Sequence, residues 1–286
     1  MKITFFGTRG SCPCAGDHYQ KFGGNTSCVL VETDDRTPLI LDAGTGLRAL
    51  GSHLHDSWDH DEPFRARLLL THLHYDHLLG LPFFRPLEQS GSLLEIYGPR
   101  QGDGDLASVI DAAVTPPFFP VQMKEFRGDI QLIDVGDEEL TFGSTTVMAR
   151  FIPHTGATLG FRIESNGRSM AYLPDHQAPL EGDEITAAVR ELIDGVDLLI
   201  HDAQYDEEEF AEKSNWGHST IRYALEVAHQ GNVGTLALFH HDPAHDDDRL
   251  AALEHEAQVN AQGRSIIQVL SAREGMSIEL SEQKDA

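Results

Sequence analysis

The chain has 286 residues, and with 40% hydrophobic and 23% charged residues its composition is that of an ordinary globular protein. Acidic residues outnumber basic ones by 46 to 21, so the formal net charge is −25. Such a charge repels nucleic acids and anionic membranes, and no apolar run reaches the roughly 18–20 residues of a membrane span. The first residues are typical of a strand and turn rather than of a signal peptide. We therefore predict a soluble, cytoplasmic protein without a membrane or large nucleic-acid partner.

Short apolar or β-branched runs bounded by turn residues predict strands throughout the chain. They are 2–6, 28–32, 38–41, 67–70, 93–97, 130–133, 145–151, 159–164, 168–173, 197–201, 234–239, 265–269 and 276–280. Helical patterns lie at 46–55, 103–113, 184–193, 218–229 and 246–261. This order indicates an α/β fold with mixed sheets covered by helices. Because no repeat or linker divides the sequence, we predict one domain over 1–286, with a frayed tail at 283–286.

The three cysteines, Cys12, Cys14 and Cys28, are too few for a disulfide framework and fit a reducing compartment. Cys12 and Cys14 are closer in sequence than most zinc-binding pairs, so we expect ordinary thiols in a proline-containing turn. The 16 histidines are more informative, because neutral imidazole is the commonest metal ligand in proteins. Residues 114–128, rich in proline and aromatics, are expected to form an ordered surface loop that either lines a cleft or only packs locally.

The strongest chemical signal is Thr-His-Leu-His-Tyr-Asp-His at 71–77, directly after an apolar strand. His72 and His74 are two residues apart, so an extended backbone projects both to one side. Asp76 and His77 lie where the chain turns into a helix and can face a second point. One strand end can therefore serve two adjacent metal ions, and zinc, manganese and iron all accept such ligands. The alternative, a polar helix cap with exposed imidazoles, explains this density of ligands poorly.

Further candidate ligands follow other predicted strands. His154 ends one strand, Asp175 follows another and could bridge two cations, and His240 and His241 follow a third. Each of these residues alone could simply cap a turn. Together they fit the way in which open sheets build sites beyond the ends of their strands.

These motifs resemble those of the metallo-β-lactamase superfamily, whose hallmark His-x-His-x-Asp-His appears at 72–77. The resemblance begins with Phe-Gly-Thr-Arg-Gly-Ser at 6–11 and continues with Gly-Gly-Asn-Thr-Ser at 23–27 and Leu-Asp-Ala-Gly-Thr-Gly at 41–46. It ends with Phe-His-His-Asp-Pro at 239–243. These segments are similar to the phosphodiesterase branch that contains ribonuclease Z and the cyclic-phosphate and cyclic-AMP phosphodiesterase-like hydrolases. The resemblance implies an αββα sandwich of two mixed β-sheets flanked by helices.

The resemblance also implies a set of metal ligands. One cation would be held by His72, His74 and His154 and a second by Asp76, His77 and His240, with Asp175 bridging the two. His241 is the alternative to His240, and Asp42 either orients a ligand histidine from beneath or merely forms a turn. Two divalent metal ions are thus expected, with Zn²⁺ favoured and Mn²⁺ or Fe²⁺ as alternatives.

A second pair of segments resembles the ribonuclease Z-like enzymes, in which His-Glu-Ala-Thr and His-Ser-Thr segments help to bind and protonate the departing ester. Here they are His-Asp-Ala at 201–203 and His-Ser-Thr at 218–220, so Asp202 replaces a longer Glu. His218, at the predicted start of a helix, is suited to a phosphate oxygen, or else it stacks on Trp216. Arg9 is either a phosphate anchor or part of a surface salt bridge.

The expected function is that of a metal-dependent phosphodiesterase acting on a cyclic nucleotide, a cyclic phosphate or another small phosphodiester. Two cations about 3.5–4 Å apart would supply metal-bound hydroxide near neutral pH. Asp76 would steer this hydroxide or accept its proton, and His218, with Asp202, would protonate the leaving oxygen. The sequence lacks the basic arm with which ribonuclease Z grips transfer RNA. Alternatives are a thioester or lactam hydrolase of the same fold and a catalytically silent metal-binding sensor; a homodimer is left open.

Overall fold

The computed structural model describes residues 1–59, 61–102 and 104–281, so the tail at 283–286 lies outside the described residues. The strands of the described part are β1 Lys2–Gly7, β2 Cys28–Glu32, β3 Leu39–Leu41, β4 Arg65–Leu69, β5 Leu93–Pro99, β6 Asp129–Val135, β7 Glu138–Phe142, β8 Thr145–Phe151, β9 Leu159–Ser165, β10 Arg168–Leu173, β11 Leu198–Asp202, β12 Thr235–Phe239, β13 Gln268–Ser271 and β14 Ser277–Glu279. Its α-helices are α1 Gly46–Ser57, α2 Tyr75–Leu78, α3 Leu106–Ala113, α4 Ala187–Ile193, α5 Glu207–Lys213, α6 Ile221–Gln230 and α7 Asp247–Asn260. Within this part of the chain no helix is long and apolar enough to cross a bilayer.

The strands form two seven-stranded sheets. The first has the order β14-β1-β2-β3-β4-β5-β6 and the second the order β13-β12-β11-β10-β9-β8-β7. Both are mixed, because β3 to β6 and β10 to β13 run parallel while the remaining neighbours are antiparallel. Helices cover the outer face of each sheet, so the predicted αββα sandwich is confirmed.

The core between the sheets is built from side chains of both inner faces. Phe5 of the first sheet packs against Phe239 of the second, and Tyr172 also contacts the Phe239 ring. The outer faces are equally apolar: α1 and α3 pack on the first sheet, while α4, α6 and α7 pack on the second. Burial on both faces explains why the central strands form continuous apolar runs rather than alternating patterns.

Two elements were not predicted. Strand β7 has the sequence Glu-Glu-Leu-Thr-Phe and is an edge strand in which only Leu140 and Phe142 turn toward the core. Helix α5 buries none of its residues, so no apolar periodicity marks it. A signal was nonetheless present, because Asp206 and Glu209 form a reciprocal capping box at its start. In the predicted loop at 114–128, Val114 and Met123 pack into the outer core of the first sheet.

The topology directs several strand ends to one edge of the sandwich. Strands β3 and β4 are parallel neighbours in the first sheet, and β10, β11 and β12 are parallel neighbours in the second. Strand β8 runs in the same direction as β10, because both are antiparallel to β9. The segments that leave these strands therefore meet, and they contain the histidines and aspartates identified in the sequence.

Candidate metal centre

The segment after β4 supplies four of the side chains that gather at this edge. The backbone stays extended as far as His74, with φ −66° and ψ 151°, and α2 begins at the next residue. The rings of His72 and His74 lie on the same side, with centroids 4.4 Å apart. The single turn of α2 aims Asp76 and His77 at a second cluster that includes His240. The expected division of this motif between two points is therefore present.

The first cluster consists of His72, His74 and His154, whose facing nitrogens lie within 4.8 Å of one another. His154 Nε2 is 3.3 Å from His74 Nδ1. Asp175 borders this cluster, since its Oδ1 atom lies 3.7 Å from His154 Nε2 and 3.9 Å from His72 Nε2. Imidazoles from two loops, those of His72 and His154, thus face one carboxylate oxygen.

The second cluster consists of Asp76, His77 and His240. The Nε2 atoms of His77 and His240 are 3.2 Å apart, and Asp76 Oδ2 is 3.1 Å from His240 Nε2. The other oxygen of Asp175, Oδ2, lies 2.9 Å from His77 Nε2 and 3.3 Å from His240 Nε2. Asp175 therefore presents one carboxylate oxygen to each cluster.

Hydrogen bonds on the outer side of the rings leave the inner nitrogens bare. In three of these histidines the outward Nδ1 atom donates a hydrogen bond. His77 donates to Asp42 Oδ2 at 2.8 Å. His154 donates to the Gly217 carbonyl at 2.6 Å, and His240 donates to Gln204 Oε1 at 2.8 Å. His72 Nε2 is buried and lacks a hydrogen-bond partner among the described residues. Inward lone pairs with hydrogen-bonded outer nitrogens are characteristic of metal-binding histidines. The nitrogen and carboxylate donors thus fit divalent metal ions.

The charge balance of the clusters leads to the same conclusion. Burial disfavours a charged imidazole at His77, but the carboxylates of Asp175, Asp76 and Asp42 outweigh this and hold its pKa well above the usual range. Burial likewise opposes ionisation of Asp175, yet His240 and His77 outweigh it and keep the pKa of Asp175 well below its usual range. The site therefore stabilises carboxylates and attracts positive charge, as a cation-binding site must.

Asp42 lies beneath the second cluster in a buried polar network. It accepts hydrogen bonds from the Thr71 amide at 2.8 Å, from His77 Nδ1 and from the Tyr172 hydroxyl at 2.9 Å. Its φ of +60° is the left-handed conformation, which costs a non-glycine residue about 1–3 kcal/mol. Ser11 and His240 share this conformation, each with φ +58°. Strained backbone is thus found at three positions around the cluster, as is common at functional sites.

Asp202 and His218 form a pair next to the clusters. His218 Nδ1 is 2.9 Å from Asp202 Oδ2 and 3.6 Å from Asp175 Oδ1. Burial lowers the pKa of His218, but the Asp202 carboxylate outweighs it and raises the pKa to about 9. The shorter aspartate therefore still reaches the histidine. The expectation that His218 starts a helix is wrong, because α6 begins three residues later at Ile221, and the ring packs instead against His154, His240 and Tyr205.

His241 and Arg9 do not have the roles that the sequence suggested for them. His241 turns away from the clusters: its Nε2 donates to the Ala272 carbonyl at 2.9 Å, and burial lowers its pKa to about 3. Both interpretations of Arg9 are wrong, since it is fully buried and binds main-chain carbonyls rather than facing the site or a surface carboxylate. Its Nε donates to the Gly23 carbonyl at 2.7 Å and its Nη1 to the His245 carbonyl at 2.6 Å. Arg9, in the loop after β1, is thus hydrogen-bonded to the segment that follows His240.

The cysteines are not part of the clusters. Cys12 is exposed, Cys14 is half-buried and Cys28 is buried, and all three thiols are free. In the part of the chain that the structure describes, the groups of closely spaced potential metal ligands contain no cysteine. We expected buried or half-buried thiols in a turn, which is correct for Cys14 but not for the exposed Cys12, and Cys28 lies in β2.

Sequence reasoning missed Gln204. Its Oε1 atom receives the His240 Nδ1 hydrogen bond, and its amide is buried beside the second cluster. A glutamine two residues after a strand carries no general signal of such a role. It occupies the place of the final Thr in the resembling His-Glu-Ala-Thr segment, a substitution that reveals nothing without coordinates.

This arrangement, an αββα sandwich with two clusters of potential ligands that share a carboxylate, defines a metal-binding protein of the sandwich class. The chain belongs to the beta-lactamase superfamily, because the sequence model of the beta-lactamase superfamily domain matches residues 37–241. It is 26% identical to a ribonuclease Z from Haloarcula marismortui over 96% of each protein. Among solved structures, it is similar to the metallo-beta-lactamase fold protein YhfI from Bacillus subtilis, with a TM-score of 0.70, 21% identity and 98% coverage of both chains. It is also similar to a diphosphatase of the PhnP family, with a TM-score of 0.67, 18% identity and 98% coverage of both chains.

Replacement of the buried arginine tests the observed role of Arg9. Arg9→Met leaves the carbonyls of Gly23, Asp242 and His245 without their donor, so we expect a loss of about 2–4 kcal/mol in the free energy of unfolding. Urea denaturation followed by circular dichroism measures this loss. The control is Arg48→Met on the exposed side of α1, which should stay within about 0.5 kcal/mol of the parent. Equal stability of the two variants would contradict a stabilising role for the buried hydrogen bonds of Arg9.

Proposed function

We propose that this protein is a metal-dependent phosphodiesterase that cleaves a small phosphodiester. The observation that carries the proposal is the pair of His/Asp clusters joined by Asp175, with the His218–Asp202 pair within 3.6 Å of that carboxylate. A metal-dependent phosphoesterase agrees with relatives named ribonuclease Z and with the similarity to a diphosphatase. The small diester is the finer part of the proposal, and it rests on charge and on the absence of a basic segment.

In this proposal each cluster holds one divalent cation. The first is ligated by His72, His74 and His154, the second by Asp76, His77 and His240, and Asp175 is shared. The nitrogen-rich donor set favours Zn²⁺, with Mn²⁺ or Fe²⁺ as alternatives. When bound, such a pair of cations supplies Lewis acidity and a nucleophile near neutral pH.

The residues around the clusters have distinct tasks. Asp76 orients the attacking water and accepts its proton, since the Ser11 amide donates to its Oδ2 atom at 2.7 Å and holds the carboxylate toward the second cluster. His218 donates a proton to the leaving oxygen. Asp202 holds its Nδ1–H, which leaves Nε2–H for the ester, and a pKa of about 9 keeps the ring protonated at neutral pH.

Charge favours a small ester over a folded RNA. The net charge of −25 opposes a polyanion, and the segment 100–128 between β5 and β6 contains three basic and four acidic residues. A second candidate, cleavage of RNA, is supported by the ribonuclease Z relative, which matches 96% of this chain. The two candidates share the metal centre and differ in the size of the substrate.

A substrate panel on one metal-loaded preparation separates the candidates. We expect turnover of bis(p-nitrophenyl) phosphate and of cyclic nucleotides, with a lower kcat/KM for precursor transfer RNA because the acidic surface repels it. S-lactoylglutathione and nitrocefin represent the thioester and lactam alternatives. Turnover of RNA alone would replace the small-ester proposal by the ribonuclease, and cleavage of the thioester or lactam alone would refute a phosphodiesterase. Tight binding of cyclic nucleotide without cleavage by fully metallated protein would favour a sensor.

Loss of the shared carboxylate tests the dinuclear centre. Asp175→Ala should abolish turnover and leave less than one tightly bound cation, because each cluster loses an oxygen ligand. Metal content is measured by mass spectrometry after gel filtration, together with a thermal unfolding curve. Asp197→Ala is the matched control, because Asp197 precedes β11 and therefore lies at the edge of the sheet opposite to the clusters. This variant should retain both cations. An active, fully metallated Asp175→Ala protein would refute the bridging assignment.

A comparison of leaving groups tests the proton donor. General acid catalysis contributes about 10²–10⁴-fold, so His218→Ala should slow an ester with an alkoxide leaving group by that factor. The same variant should slow release of p-nitrophenolate, which needs little protonation, by less than about tenfold. Asp202→Asn should show the same selectivity to a smaller degree, because it keeps the ring but removes its charged partner. An equal loss with both leaving groups would show that His218 does not act as the acid.

A further inference from the structure

Gln204 lies two residues beyond β11 and is 2% exposed. Both the oxygen and the nitrogen of its side-chain amide form hydrogen bonds. The Oε1 atom accepts the hydrogen bond from His240 Nδ1 at 2.8 Å, while Nε2 donates to Ser11 Oγ at 3.3 Å and to the Tyr205 hydroxyl at 3.1 Å. This side chain therefore connects the segment after β12 with the loop after β1.

The first contact determines which nitrogen of His240 carries hydrogen. An amide oxygen is only an acceptor, so Nδ1 must donate, and Nε2 is left with its lone pair toward Asp76 and His77. His240 also has a left-handed backbone, a conformation that is common at functional sites. Gln204 is the partner of the outward nitrogen.

The second contact reaches another side chain of the same cluster. The Ser11 amide donates to Asp76 Oδ2 at 2.7 Å, and the Ser11 hydroxyl is bound by Gln204. One amide thus acts directly on His240 and, through one intervening residue, on Asp76. The first cluster, formed by His72, His74 and His154, has no contact with Gln204 in the described hydrogen bonds.

The contact between Gln204 and His240 is tightly packed against Gly10. A Cβ atom on Gly10 would lie 2.3 Å from His240 Nδ1 and 2.7 Å from Gln204 Oε1, so only glycine fits beside the contact. The space on that side is filled by backbone.

We propose that Gln204 is a positioning residue that presents His240 and Asp76 to the second cation and thereby sets the affinity of that site selectively. This inference rests on the proposed metal centre. It assigns to a residue outside the ligand set an effect on the second cation that the first cation does not share. Outer hydrogen-bond partners of metal ligands typically change metal affinity by about 10–100-fold.

The test compares two substitutions of similar volume. Gln204→Met removes both ends of the amide, and Gln204→Glu keeps an acceptor for His240 but loses the donor to Ser11 and Tyr205. Zn²⁺ titration against a chromophoric chelator measures both affinities. We expect Gln204→Met to weaken the binding of one Zn²⁺ ion by about 10–100-fold and to keep the affinity for the other within about threefold of the parent's. Gln204→Glu should lose less affinity for the first of these ions. Gln230→Met, which removes a remote amide on α6, is the control and should bind like the parent.

A spectroscopic measurement separates positioning from a general structural role. Two-bond ¹H–¹⁵N spectra of histidine-labelled protein should show Nδ1–H for His240 in the parent and in Gln204→Glu, but a mixture of tautomers in Gln204→Met without metal. Unchanged affinities in folded Gln204→Met would overturn the inference, and so would equal weakening of both cations. A parent protein that binds fewer than two cations would instead refute the proposed metal centre, so the two failures are distinguishable.

Discussion

The site depends on one buried carboxylate, Asp175, which is 1% exposed. Removing an ionised carboxylate from water costs several kcal/mol unless positive charge and hydrogen bonds offset it. The two proposed cations would provide this charge, because Oδ1 borders one group of histidines and Oδ2 borders the other. The histidines in turn keep their bare nitrogens inward only because their outer nitrogens are held by Asp42, Gly217 and Gln204. The carboxylate and its imidazoles are therefore mutually dependent.

The sandwich matters because the two clusters draw side chains from both sheets. The motif at 71–77 leaves the first sheet, while Asp175, Asp202 and His240 leave the second. The spacing between the sheets consequently sets the distances within the clusters. Tyr172 joins the two directly: it belongs to β10 of the second sheet, and its hydroxyl donates to Asp42, which follows β3 of the first. The inter-sheet core is thus part of the geometry of the site as well as a source of stability.

The sequence predicted the strands and their ends well, because a strand buried on both faces is an uninterrupted apolar run. It also indicated which polar residues follow those runs, since parallel neighbours place their carboxyl ends at one edge. Apolar patterns could not reveal β7 or α5, whose mostly exposed residues leave little such pattern. Nor could the sequence assign Arg9 and Gln204, because both act through partners more than ten residues away in sequence. A buried arginine that binds carbonyls and one that anchors a phosphate have the same local sequence.

The charge distribution links the geometry to the proposed substrate. A chain of net charge −25 repels an anionic ester at a distance, yet counterions screen this repulsion beyond about 8–10 Å in physiological salt. Within that distance an ester meets a different environment, in which Asp202 raises the pKa of His218 and the proposed cations offset Asp76 and Asp175. A small diester can lie wholly inside this region. A folded RNA extends well beyond it, and its outer phosphates must approach the acidic surface. The acidity of the chain is therefore compatible with the small ester proposed above.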